Sequence, residues 1–111
     1  MFSSLLNEYV PYLRSRCAAA AAVAIFRRSV ERVWGRVSQH IVQMSEAEAL
    51  GYTRAHAAGV IESAAREVFT EQHVGLRAQA EALRDATQRI VECVWQRAQE
   101  AKQVMDRRRA A

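Results

Sequence analysis

A chain of 111 residues with 16 basic and 12 acidic side chains is long enough for one small domain. Half of its residues are apolar, but many of these are alanine, so we expect a thin core between closely packed helices. No stretch approaches the ~20 apolar residues that a membrane-spanning helix needs. Two cysteines without a CxxC motif favour an intracellular, reducing compartment over a disulfide framework.

Residues 1–10 form a short amphipathic lead-in, and a first long helix is predicted from about residue 11 to 44. Proline is well tolerated as the first residue of a helix, so we expect the helix to begin near Pro11. Apolar side chains then recur in steps of three and four, which is typical of an amphipathic helix. This apolar stripe consists of Phe26, Val30, Val33, Trp34, Val37, Ile41 and Met44.

A second helix is predicted from about residue 46 to 73. Ser45 and Glu48 have the spacing of a capping box, in which the serine accepts the Glu48 amide and the glutamate reaches back. Gly75 is the natural stop, although the helix could also continue through it. The start of the second helix does not depend on this choice, because the capping box at Ser45 already separates it from the first helix.

A third helix is predicted from about residue 76 to 108. Its apolar and small residues alternate steps of four and three, as in a heptad seam. The seam comprises Leu76, Ala80, Leu83, Thr87, Ile90, Val94, Ala98, Ala101 and Met105. The chain is therefore expected to be all-α, an antiparallel bundle or hairpin of three long helices with coiled-coil-like packing, in a single domain.

Six residues are predicted to make the packing contacts. Within one chain, the first helix should pack against the seam of the third. Apolar surface left over, including a tryptophan on the third helix, should dock a second copy or another protein. The candidates are Phe26, Val30, Val33, Trp34, Val37 and Trp95. These residues favour a structural or interaction subunit, either a homo-oligomer or part of a larger assembly.

Three arginines, Arg28, Arg32 and Arg36, stand at four-residue spacing and form a basic ridge on the first helix. Like charges at this spacing repel one another by a few tenths of a kcal/mol per pair. Glutamates of the second helix, phosphates or another subunit would relieve that repulsion. The segment that becomes the second helix is the acidic part of the chain, whereas both flanking segments are basic, which favours pairing between neighbouring helices.

Catalytic and metal-binding signatures are missing from the sequence. The histidines His40, His56 and His73 do not share a helical face, and no HExxH motif or His/Cys pair has ligand spacing. The serines and cysteines have no identifiable base, and no glycine-rich loop could hold a phosphate. We therefore expect a protein that is not an enzyme and that has no cofactor.

Two other interpretations stay open. Residues 46–62 have the outline of a helix-turn-helix, with a turn at Gly51, an N-cap at Thr53, and Arg54 and His56 toward nucleic acid. This would make the chain a small nucleic-acid-binding regulator. Residues 1–37 are rich in arginine and poor in acids, as in a mitochondrial targeting helix. The chain would then be an accessory subunit of a mitochondrial complex.

Overall fold

Three helices make up the fold. The computed structural model describes the backbone of residues 2–110 and the side chains of residues 11–110. In this part of the chain α1 spans Phe2–Ile41, α2 spans Glu46–Gln72 and α3 spans Leu76–Ala110, and no strand occurs. Each helix packs against the other two, which confirms the predicted all-α three-helix bundle. The connections are short, so successive helices run antiparallel in a rod of 69 × 24 × 20 Å.

Helix α1 is longer at its start, and shorter at its end, than the sequence predicts. It begins at Phe2 and passes through Pro11, so the separate lead-in over residues 1–10 is not seen. An internal proline costs about 3 kcal/mol, but the ten residues before it contain no glycine and can extend the helix. The helix ends at Ile41 instead of Met44, because the Met44 amide donates to the Ile41 carbonyl in a turn at 3.1 Å.

Ser45 starts α2 as the capping box predicts. Its backbone is extended, and its side-chain oxygen accepts the Glu48 amide at 3.4 Å. Glu48 reaches back to the Ser45 hydroxyl, 2.9 Å away, so the hydroxyl donates to the carboxylate. Such a cap stabilises a helix start by about 1 kcal/mol. The position of the first turn therefore follows directly from this local signal.

Helix α2 ends at Gln72, close to the predicted residue 73, but the turn after it is made by His73 and not by Gly75, the expected stop. His73 has the left-handed conformation, with φ 52° and ψ 51°, and the Val74 amide donates to the Phe69 carbonyl at 3.1 Å. This is the Schellman arrangement, which pairs an apolar residue after the turn with one in the last helical turn. Val74 is buried in the core that Phe69 also contacts. Gly75 instead directly precedes α3, and its carbonyl accepts the Gln79 amide at 2.9 Å.

The core consists of small and β-branched side chains that recur every four residues on each helix. In α1 every member of this row is fully buried, and the rows of α2 and α3 are at most 4% exposed. Side chains four residues apart form the ridges by which helices pack, and alanine lets two backbones approach closely. The rows are Ala21, Ile25, Ser29, Val33, Val37 and Ile41 in α1; Ala49, Thr53, Ala57, Ile61 and Ala65 in α2; and Ala78, Ala82, Ala86, Ile90, Val94 and Ala98 in α3.

The predicted seam of α3 is right in its middle and wrong at both ends. Met105, the last residue of the seam, is 44% exposed. Ile90, Val94 and Ala98 are buried, but Leu76 is 83% exposed and Ala80 lies on the surface. The heptad pattern favoured the larger leucine, whereas the bundle packs on the row of alanines that begins at Ala78. Close backbone approach, and not side-chain size, therefore decides which face of α3 is buried.

Ser29 is the weak point of this core. It is fully buried, and its hydroxyl has no hydrogen-bond partner among the described residues. Because an unsatisfied buried hydroxyl costs about 1–3 kcal/mol, Ser29→Ala should raise the free energy of unfolding by about 1 kcal/mol or more. Urea denaturation measures the change. Ser63→Ala, at an exposed helical site, controls for helix propensity. A Ser29→Ala protein no more stable than this control would contradict the assignment.

Candidate interaction site

The residues predicted to make packing contacts lie mostly inside the bundle. Val33 and Val37 are fully buried and Val30 is 9% exposed, so these three belong to the core. Phe26 and Trp34 are partly buried and pack against that core. The three valines therefore hold the helices of one chain together, and a partner could reach them only if the bundle opened.

The outer face of Trp34 is covered from α3. The Arg97 guanidinium lies 4.9 Å from the centre of the Trp34 ring, and it donates to the Glu31 carboxylate at 2.8 and 3.4 Å. A cation over an indole contributes about 0.5–1 kcal/mol at an exposed site. This contact links α1 to α3 within the chain and covers part of the Trp34 ring.

Trp95 lies at an open groove between the α1–α2 turn and the last part of α3. It is half-buried, and Val42, Met44 and Ala98 form the apolar floor beside it. The rim is polar and carries Gln99, Lys102, Gln103 and Asp106. A second hollow continues the groove along Val42 to Met105. Flexible methionines beside a tryptophan suit an apolar side chain from outside.

The ends of two helices carry exposed apolar side chains that the sequence analysis did not single out as a site. None of residues 11–17 and none of residues 99–110 is buried, so these ends project from the packed part of the bundle. All large, strongly exposed hydrophobic residues in the described part of the chain lie on these two ends or at the start of α3. They are Tyr12, Leu13, Leu76, Val104 and Met105.

The arginines of the basic ridge have different surroundings. Arg28 donates to both carboxylate oxygens of Glu71 and, at 3.3 Å, to Glu67, so glutamates of α2 do relieve its charge. Arg32 and Arg36 are exposed and form no ion pair with any described side chain. The ridge is therefore neutralised at one end only.

Hydrogen bonds from Arg28, together with its positive charge, hold the pKa of the Glu71 carboxyl below its usual value. A lowered pKa in the folded state means that the pair stabilises the bundle above the unfolded carboxyl pKa of about 4.3. This contribution is lost as the pH falls through the folded pKa. Arg28→Gln should therefore raise the Glu71 pKa, which a side-chain NMR titration measures. An unchanged Glu71 pKa would show that the pair does not form in solution.

Helix α2 is continuous where the helix-turn-helix outline requires a turn. Gly51 lies inside the helix, and Thr53 is 2% exposed in the core row, so it cannot act as an N-cap. Arg54 and His56 are exposed. The Tyr52 ring lies between two histidines, 4.0 Å from His56 and 5.4 Å from His40. The predicted turn is wrong because continuous burial outweighs the small helical cost of Gly51.

Other kinds of site find no support in the described part of the chain. Residues 11–110 contain no group of three or more His, Cys, Asp or Glu side chains that could bind a metal. None of the described helices is long and apolar enough to cross a membrane. Comparison with protein-family models, curated proteins and solved structures gives no match. The surface of the bundle itself is therefore the basis for any functional argument.

Proposed function

We propose that this chain is a non-catalytic interaction subunit, which assembles through its long helices with copies of itself or within a larger protein complex. One observation carries the proposal: the large exposed hydrophobic residues of the described chain gather at the projecting ends of α1 and α3 and at the start of α3. Tyr12 and Leu13 are 56% and 42% exposed, and Leu76 is 83% exposed. Large apolar side chains grouped outside a packed core are typical of protein-binding surfaces.

The arrangement of the two ends supports the same proposal. Leu76 begins α3 and, because successive helices are antiparallel, lies toward the same end of the rod as Leu13. Val104 and Met105 lie toward the opposite end, near the groove that contains Trp95. The bundle thus offers apolar surface at both ends, while its middle is closed by the alanine and valine rows.

Light-scattering mass after size exclusion, measured over a range of concentrations, tests the proposal. The parent chain is compared with a Leu13→Ser, Leu76→Ser double variant. An Ala20→Ser, Ala58→Ser variant serves as control, since both alanines are exposed along the bundle. Circular dichroism on the same fractions checks that all three proteins are helical.

We expect the parent to form oligomers, or to aggregate for want of a partner, and the end variant to be lighter or more soluble. The control should behave like the parent. A parent chain that is a folded monomer at every concentration, and that the end substitutions leave unchanged, would contradict the proposal. Apolar ends with no effect on association would then have no role in assembly.

A further inference from the structure

A basic face on α1 and α2 extends the ridge beyond its neutralised end. The α1 row continues at four-residue spacing from Arg28 through Arg32 and Arg36 to His40. Contacts of Arg28 with Glu67 and of His40 with Tyr52 show that this row borders α2 along its length. We call Arg32, Arg36, His40 and His56 the basic face; all four are exposed.

No acidic side chain of the described chain neutralises this face. Between Glu48 and Glu67, α2 carries one acidic residue, Glu62, which makes no ion pair with Arg32 or Arg36. The surface of α2 is open at Gly59, where an added Cβ would meet nothing within 4 Å. The basic face is therefore open to a helix from outside.

An acidic row with the same spacing lies on the outer side of α3. Gln88, Glu92, Gln96 and Glu100 are all exposed and follow one another every four residues. Each stands two residues after a buried member of the α3 core row, which is about 200° around the helix, so this row faces away from the bundle. Neither Glu92 nor Glu100 forms an ion pair with a described side chain. We call these four residues the acidic row.

We infer that the basic face binds the acidic row of a second copy of this chain, an inference that rests on the proposed function and names one partner for it. Both rows advance four residues, about 6 Å, from one member to the next. Arg32 and His40 therefore match Glu92 and Glu100, which are also eight residues apart, and Arg36 then lies opposite Gln96. The same kind of contact occurs within one chain, where Arg28 forms ion pairs with Glu67 and Glu71, two glutamates four residues apart.

This contact does not close on itself. The basic face lies between α1 and α2, whereas the acidic row lies on the far side of α3, so each copy that uses one surface leaves the other uncovered. Contacts between two different surfaces of this kind build rings or open stacks, not two-fold dimers. The mean mass should rise progressively with concentration and fall with salt, because exposed charges are screened within about 10 Å at 0.1 M salt.

Charge reversal on both surfaces tests the inference by sedimentation velocity at low salt. Variant A carries Arg32→Glu and Arg36→Glu, and variant B carries Glu92→Arg and Glu100→Arg. Each alone should lose salt-sensitive association, because its two surfaces then have the same sign. A mixture of A and B should regain it. The control carries Arg27→Glu and Arg66→Glu, exposed sites outside the basic face. The control has the same net charge as A, but adding B should not raise its association above that of the control alone.

Several results would overturn the inference. They are a parent that does not associate at low salt, a mixture of A and B that stays monomeric, and a control that replaces A fully in the mixture. The end variant Leu13→Ser, Leu76→Ser separates this inference from the proposed function. Association that the end variant removes but charge reversal leaves intact would overturn the charged contact and keep the apolar ends. Association that charge reversal removes but the end variant retains would keep the charged contact and overturn the role of the apolar ends.

Discussion

Val33→Asp should unfold the bundle. Val33 is fully buried in the middle of the α1 row, where it contacts the other core residues. The substitution removes a buried valine, worth about 1.5–3 kcal/mol, and places a carboxylate without a partner in an apolar site. A loss of more than about 4 kcal/mol is expected for such a buried charge. This is comparable with the total stability of a small domain, about 5–15 kcal/mol.

Circular dichroism during thermal unfolding measures this loss. Ala20→Asp is the control, because Ala20 is exposed on the same helix and a carboxylate there should change the melting temperature little. A Val33→Asp protein that melts like the Ala20→Asp protein would show that α1 does not pack as described. It would also remove the basis for treating the three α1 valines as core residues.

Ala82→Leu should destabilise the protein by about 1–3 kcal/mol, although it adds apolar surface. Ala82 is fully buried in the alanine row of α3, so leucine would add three carbons to a packed interior. Ala80→Leu makes the same change two residues earlier, on the surface, and should shift the free energy of unfolding by less than about 0.5 kcal/mol. The difference isolates packing from helix propensity.

Chemical denaturation of the two leucine variants measures that difference directly. Equal stability of Ala82→Leu and Ala80→Leu would mean that α3 does not pack through its alanine row. A more stable Ala80→Leu protein alone would agree with the structure, since leucine at the surface can cover neighbouring apolar groups. The outcome therefore decides between the alanine row and the heptad seam that the sequence predicts.

Local signals in the sequence predicted the number of helices and the turn at Ser45. A capping box specifies its own hydrogen bonds, and helical periodicity over thirty residues outweighs single unfavourable residues such as Gly51. Glutamates of α2 were one of three sources of negative charge that the sequence left open for the arginine ridge, and the structure shows them at Arg28. These features depend on residues close together in the chain or on the net charge of a whole segment.

The start of the α3 core row and the projecting ends could not be predicted in this way. Leu76 and Ala78 both fit a helical stripe, and the choice between them depends on how closely two backbones approach, which no single helix determines. The ends are exposed because α1 and α3 continue past the neighbouring helices. One signal was available: the four-residue row of small and β-branched residues stops at Ala98, although the helix continues to Ala110.

Amide hydrogen exchange, followed by mass spectrometry at low and high protein concentration, tests most directly whether the projecting ends are assembly surfaces. The closed bundle over residues 18–98 should be protected at both concentrations. Amides of residues 11–17 and 99–110 should exchange rapidly when the protein is dilute and more slowly when it is concentrated, because a second copy then covers them. Ends that exchange at the same rate at every concentration, in a chain that associates, would contradict the account.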